Sequence, residues 1–331
     1  MQIVQTGPDD ARFPAWCEVW AATQRADRPD EAPRPARDHV ALGRRLATPG
    51  GSVTGTHRAA VADGGVVGAL RLLLPVRDNT TVAYVDLAVH PAARRQGVGS
   101  ALLAEAGRLA AAAGRTAMVA DVDEPVPQTP GRAFALHHGW TCDLRESRRD
   151  LVLPVDEARL AVLEEEARAA GPDYAVLTWR DRTPDDLVED RALLGRRMST
   201  DAPSGDVPVE EEHWDAARVR EEEAAHVARG RTVLTGGAVR EGRLVAHTEL
   251  HVPLEQPERA QQGAMLVLRE HRGHRLGARV KVAVLRELAA TLPQVRRIST
   301  YNAESNRPMV AVNEALGFRR AGGLSAWTRR L

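Results

Sequence analysis

The spacing Arg94-x-x-Gly97-x-Gly99 places a basic residue and two glycines directly after an apolar run, Val82 to Val89, that reads as a strand. Behind it, Val98, Leu102, Ala106, Leu109 and Ala113 recur at helical spacing, and Gly114 stands where a C-terminal cap would stand. A strand feeding a glycine turn that opens a helix aims free N–H groups at one spot, and the helix dipole reinforces them, so the stretch forms an anion site. Gly97 and Gly99 carry no Cβ to keep a phosphate from the backbone. The dinucleotide fingerprint needs a third glycine where Leu102 stands, and the nucleotide P-loop needs a Lys that is absent here. Other side chains could move protons: Asp86 within the strand, Glu249 and His251 two apart and so on one face of a later strand, and Tyr301 at the end of another. His271 and His274 lie three apart without a third ligand of matching spacing, so no metal is expected.

The elements that must position these residues can be read along the chain. Its 331 residues suffice for two domains, and 43% hydrophobic content suffices for a sizeable core. Acidic and basic residues balance at 45 each, which gives no global attraction to nucleic acid or anionic membrane. Lys281 is the single lysine, a bias that reads as high-GC codon usage. Cys17 and Cys142 are far apart and read as reduced thiols. No apolar run approaches eighteen residues and no signal-peptide pattern is present, so a soluble, cytoplasmic protein is expected. Strands are expected at 1–6, 58–63, 65–76, 82–89, 116–122 and 146–153. Helices are expected at 9–25, 38–47, 98–113 and 131–138, and a hairpin turn at Asp63-Gly64-Gly65.

The pattern then repeats. Val67-x4-Leu72-x2-Pro75 matches Val245-x4-Leu250-x2-Pro253; Val89, Arg94, Gly99 and Gly139 match Val267, Arg272, Gly277 and Gly317, always 178 positions apart. A constant offset over some seventy residues indicates two copies of one domain. The expected division is 1–153, a charged helical connector at 154–172, and 173–331.

The loop Arg94-x-x-Gly97-x-Gly99 resembles the acetyl-CoA pyrophosphate loop of the GNAT acetyltransferase superfamily. The second copy adds Thr300-Tyr-Asn-Ala-Glu-Ser-Asn306 and a run closing on Leu316-Gly-Phe318, similar to the last GNAT motif. Together with Met198–Gly205 and Glu270–Gly277, these stretches resemble the tandem GNAT proteins common in actinobacteria, of which mycothiol synthase is the best known. The resemblance covers nearly the whole chain and is strongest from 243 to 320. It implies an α/β fold with a mixed α+β sheet: two tandem GNAT domains, each a mostly antiparallel sheet flanked by helices, with a splayed central strand pair binding CoA. It also implies acetyl transfer from acetyl-CoA to an amine, attacked directly in a ternary complex.

Residue by residue, the resemblance implies a thioester strand at Leu87 and Val89 in the first copy and at Met265 and Val267 in the second. It implies a pyrophosphate cradle of Arg94, Gly97, Val98, Gly99 and Ser100, echoed by Arg272, Gly273, His274, Arg275, Leu276 and Gly277. Asn302 and Asn306 are expected to hold pantetheine or substrate. Arg275 replaces the middle glycine; it either weakens the cradle or, with His274, adds charge to it. Ala135 and Asn313 stand where the usual acid Tyr belongs, and Tyr301 is a substitute. Asp86 reads equally as a base and as a solvated strand carboxylate. Glu249 and His251 read as bases if their face lines the cleft and as a charged rim if it meets solvent.

Catalysis is expected in the second copy, with acetyl-CoA bound in one or both, and a small-molecule amine as acceptor. Two alternatives stand beside this reading: a degenerate acyl-CoA-binding sensor without turnover, and an acetyltransferase acting on protein N-termini or Lys. The chain is expected to be a monomer with its copies paired as a pseudo-dimer, or a homodimer.

Overall fold

The computed structural model describes residues 1–125 and 129–331. They form two compact units: Met1–Arg145 with Ser204–Glu210 and Leu324–Leu331, and Glu146–Pro203 with Glu211–Gly323. The first contains β1 (Gln2–Thr6), α1 (Phe13–Asp27), α2 (Ala36–Ala47), β2 (Val53–Ala62), β3 (Gly65–Pro75), β4 (Val82–Val89), α3 (Val98–Ala112), β5 (Ala117–Glu124) and α4 (Pro130–His137). Strand β6 (Thr141–Val152) contributes residues to both units. The second contains α5 (Glu157–Ala170), β7 (Ala175–Arg180), α6 (Val188–Asp201), α7 (Ala216–Ala228), β8 (Arg231–Arg240), β9 (Arg243–Pro253), β10 (Arg259–Val267), α8 (Leu276–Thr291), β11 (Arg297–Ala303) and α9 (Arg307–Leu316). A last strand, β12 (Arg319–Arg330), was not expected from the sequence; its end from Leu324 belongs to the first unit.

In the first unit β1 to β4 pair antiparallel in order, and β4 pairs β5 in parallel. In the second, β7 to β10 are antiparallel in order, β10 pairs β11 in parallel, and β11 pairs β6 antiparallel. The copies share their register: β3 spans 65–75 and β9 spans 243–253, while α3 opens at 98 and α8 at 276. Apolar residues alternate along the strands and recur at helical spacing, so each sheet buries both faces. One face of the first sheet packs on α3 through Val98, Leu102 and Ala106, the other on Phe13, Trp16 and Val19 of α1. In the second, Val280, Val284 and Leu288 of α8 cover one face. The segment 154–172 folds as α5, which buries Leu160 and Ala167 and ties Glu157 and Glu164 to Arg286 of α8.

Two features position the site. Each parallel pair keeps only three register partners, Val82↔Ala117 to Tyr84↔Val119 and Arg259↔Arg297 to Gln261↔Ser299, and then splays. The second feature separates the copies. Strand β4 runs beside β3 without a register shift, whereas β10 is bulged against β9 between Gln262 and Met265. A bulge takes residues off the ladder and bends the strand.

Candidate active site

The loop before α3 turns through two left-handed residues, Arg95 (φ 65°) and Gly97 (φ 81°). The loop before α8 makes the same turn through Gly273 (φ 88°) and Arg275 (φ 53°). The glycine has moved from one left-handed position to the other, so Arg275 does not disrupt the loop's path; only its Cβ strains one residue. A Cβ added at Gly97 or Gly273 would meet nothing within 4 Å. The first backbone bonds into each helix start at Ala101 and Arg279, leaving the amides of 98–100 and 276–278 to face outward. Such a cradle fits the pyrophosphate of acetyl-CoA.

The side chains around the cradle are placed differently from what the sequence suggested. Arg94 forms two 2.8 Å bonds with Asp27, the last residue of α1, and donates from Nε to the Val89 carbonyl at 3.4 Å. Arg272 does the same with Asp201 at 2.9 Å and the Val267 carbonyl at 3.2 Å. Asp201 ends α6 and also takes Arg269 at 2.8 Å. His274 bonds the Ala170 carbonyl at 3.0 Å and Arg275 pairs with Glu166, so both turn toward α5. Val98 and Leu276 are buried in the cores, leaving only their backbone to the cradle. Gly99 makes room for packing: a Cβ there would stand 3.0 Å from the Phe134 ring of α4, and Ser100 Oγ meets His138 Nε2 at 3.1 Å. At Gly277 the near atom is Met265 Cε, 3.1 Å away and on the strand. Leu87 and Val89 face Leu70 and Gly68 across the ladder, and Val267 faces Ala246.

Among the proton-carrying candidates, Asp86 lies opposite Arg71 and accepts from its Nε at 2.9 Å. Glu249 and His251 come together on β9, with His251 Nε2 and Glu249 Oε2 3.2 Å apart. They sit on the β10 bulge: a Cβ at Gly263 would fall 2.6 Å from His251 Nε2 and 3.3 Å from Glu249 Cβ. The register sets Gln261 beside both His251 and Ser299, so strand alternation puts Tyr301 on the same sheet face as His251. Asn306 caps α9, accepting from the Met309 amide at 3.4 Å.

Other residues complete this site. Arg191 of α6 donates to Glu249 and lies 6.0 Å from the Trp214 ring. The ring of His226 of α7 lies 4.3 Å from that of His251 at a 49° tilt, and His247 is buried on the same strand as His251. Burial alone would raise the Glu249 carboxyl, but Arg191, the His251 hydrogen bond and the neighbouring imidazoles outweigh it and hold the group well below the usual carboxylate range. Burial, with a nearby positive charge, pushes His247 and His226 each down to about 3, so both are neutral at pH 7.

On the opposite face of the splay, Lys281 Nζ donates to Gln262 Oε1 at 3.1 Å and Asn313 Oδ1 at 2.7 Å, and Asn313 Nδ2 donates to Asn302 Oδ1 at 2.6 Å. The arrangement as a whole provides an anion cradle, a splayed strand edge, and an ionised carboxylate bonded to an imidazole at a bulge. Among the described residues no group of three metal-ligating side chains occurs, and no helix is long and apolar enough to cross a membrane.

GNAT acetyltransferase family profiles match residues 55–142 and 197–318. The fold is similar to a tandem GNAT protein from the clavulanic acid biosynthesis pathway, with 33% identity and a TM-score of 0.80 over 99% of this chain and 98% of that one. It is also similar to a GCN5-related N-acetyltransferase from Sphaerobacter thermophilus, with 15% identity and a TM-score of 0.64 over 99% and 95% of the two chains. A putative acetyltransferase from Pyrococcus horikoshii gives 12% and 0.58 over 100% and 89%. The comparison with curated proteins returns no match. With a matching profile on each copy and a 33% identical tandem relative along its length, the chain belongs to the GNAT acetyltransferases, as an N-acetyltransferase of two GNAT domains in tandem.

Proposed function

We propose that the second copy transfers acetyl from acetyl-CoA to the amine of a small molecule, with the amine attacking directly in a ternary complex. The observation that carries this reading is the His251–Glu249 pair packed on the β10 bulge. When bound, acetyl-CoA supplies the acetyl thioester. The amides of 276–278 would hold its phosphates, and β10 amides at the bulge would polarise the acyl carbonyl. His251 takes the proton of the attacking amine, and Glu249, kept ionised by Arg191, orients the imidazole and balances the charge it gains.

The enclosed setting favours a small acceptor: Glu249 is 8% exposed, Trp214 lies against its partner Arg191, and His226 lies against His251. The tandem relative from the clavulanic acid biosynthesis pathway supports a small-molecule role. The first copy we read as a scaffold, because Phe134 of α4 and His138 just after it pack against Gly99 and Ser100 at its loop, and its strand has no bulge. A panel of amines with acetyl-CoA, followed by thiol release, tests the reading. His251→Ala is expected to cut kcat/KM by about 100-fold or more, and Asp86→Asn to leave it near wild type. Equal turnover in wild type and His251→Ala would refute the assigned base.

A further inference from the structure

The single lysine of this chain is buried in the strand splay, bonded among the described residues only to amide oxygens. Lysine is a costly choice for such a place, since its ammonium loses hydration and here gains no carboxylate in return. Its hydrogen bonds span the opening. Gln262 is the first residue of β10 beyond the last pair with β11, and it is anchored to Thr248 Oγ1 at 2.7 Å and the Glu249 carbonyl at 2.6 Å. On the other side, Asn313 of α9 joins the ammonium to Asn302 of β11. Asn313 stands where the family resemblance places the acidic Tyr, and its short side chain cannot supply an acid itself. The Lys281 ammonium reaches the oxygen of that side chain at 2.7 Å.

We propose that Lys281 is the general acid of the second copy, giving its Nζ proton to the sulfur that leaves the acetyl group. The inference rests on the second copy being the transferase. As the amine nitrogen bonds to the acyl carbon, the carbon–sulfur bond breaks and its electron pair passes to sulfur. Lys281 donates a proton to that sulfur and is left as a neutral amine, which solvent protonates again. The proton released by the attacking nitrogen goes to His251 on the other face. The products are an amide and a thiol.

The surroundings suit this role. Thr248 and Leu250 of β9, Gln262 of β10, Ile298 of β11, Asn313 of α9 and the Phe318 ring line the site, and none is charged. Burial pushes the Lys281 ammonium down to about 7. It is then a stronger acid than a thiol of ordinary pKa, about 8.5, so the transfer runs downhill. It still carries its proton in a good share of molecules at neutral pH.

One lysine in the chain makes the test direct. Protein labelled with ¹³C-lysine shows one side-chain Cε signal, and its pH titration in the free protein is expected to have a midpoint near 7. A midpoint above about 9, close to ordinary lysine, would overturn the proposal. Lys281→Met, checked by circular dichroism for an intact fold, is expected to lose about 100-fold in kcat/KM with acetyl-CoA. With an acetyl thioester of a strongly acidic thiol, which needs no proton to depart, the same variant is expected to fall within about fivefold of wild type. An equal loss with both donors would mark a structural role, and a stable acetyl group on Lys281 by mass spectrometry would make it an acceptor; either overturns the acid assignment. Wild type that releases no thiol with any amine would strike the transferase reading instead, and the titration would still decide the strength of the acid.

Discussion

Glu249 keeps its charge in a buried place because Arg191 and His251 stand against it, whereas Lys281 is bonded to the neutral amides of Gln262 and Asn313. Both make stability rise with pH, but in different windows: Glu249 by gaining a stabilising charge in the acid range, Lys281 by losing a costly one above about 7. The Glu249 carboxyl is lower in the folded chain than in the unfolded one, so its contribution to stability is present above about pH 4.3 and fades as pH falls through the folded value. Glu249→Gln, which leaves Arg191 buried opposite a neutral amide, is expected to cost roughly 3 kcal/mol at pH 7 and progressively less in acid, as read from urea unfolding at both pH values. The Lys281 ammonium is also lowered, so below about 7 the folded chain carries its full desolvation cost, and stability rises as pH climbs from 7 toward 10. Lys281→Met is expected to stabilise the protein by roughly 1–3 kcal/mol at pH 6 and by little near pH 10, the lost hydrogen bonds offsetting part of the gain. At this scale the sequence was half legible. Glu249 and His251 sit two apart on a strand, a spacing that places them on one face. Arg191 and His226 come from helices far along the chain, and no local spacing points to them. Lys281 was visible as the single lysine but read as codon bias, because its burial depends on how α8 packs.

Elements decide how finely those residues are held. The β10 bulge sets Gly263 beneath His251, and a Cβ there would come within 2.6 Å of the imidazole nitrogen. Gly263→Ala is expected to shift the ring and lower kcat/KM by about 10- to 100-fold while far-UV circular dichroism stays unchanged. An unaffected rate would mean that the ring's position over the bulge is immaterial. The bulge could not be read from sequence, since the offset of 178 holds on both sides of it and only pairing with β9 reveals the extra residue. The cradle was legible as a strand, turn and helix, down to the start of α3 at Val98. Its second copy was harder. Arg275 seemed to replace a needed glycine, yet each loop has two left-handed positions and the glycine occupies the other. The first copy's Gly99 reads in sequence as an opening for phosphate, while the structure packs Phe134 against it.

On the scale of the whole molecule the repeat was clear, because matched glycines and strand ends survive where other residues drift. The membership of the compact units was not. The chain's last residues form strand β12, whose end belongs to the first unit and carries Trp327, 1% exposed, into that unit's core. Ser325, bonded to the Trp327 indole at 2.8 Å and Glu124 at 2.6 Å, ties the strand there. Sequence motifs end at Gly317-Phe318 and give no sign of this, since a strand's partner is fixed by packing across a long separation in the chain. Trp327→Ala is expected to destabilise the first unit by roughly 3–5 kcal/mol in guanidinium unfolding, although the residue lies almost at the C-terminus.

Two similar cradles in one chain make the division of labour the central claim, and blocking them one at a time addresses it. Gly99→Arg and Gly277→Arg each force a long side chain into the helix start behind one cradle, against Phe134 in the first copy and against Met265 in the second. Thiol release from acetyl-CoA in the presence of an accepted amine is the measurement, with circular dichroism confirming that each variant folds. Gly277→Arg is expected to lower turnover by about 100-fold or more and Gly99→Arg to stay within about threefold of wild type. Loss of turnover in Gly99→Arg alone would contradict the account and move the active site to the first copy.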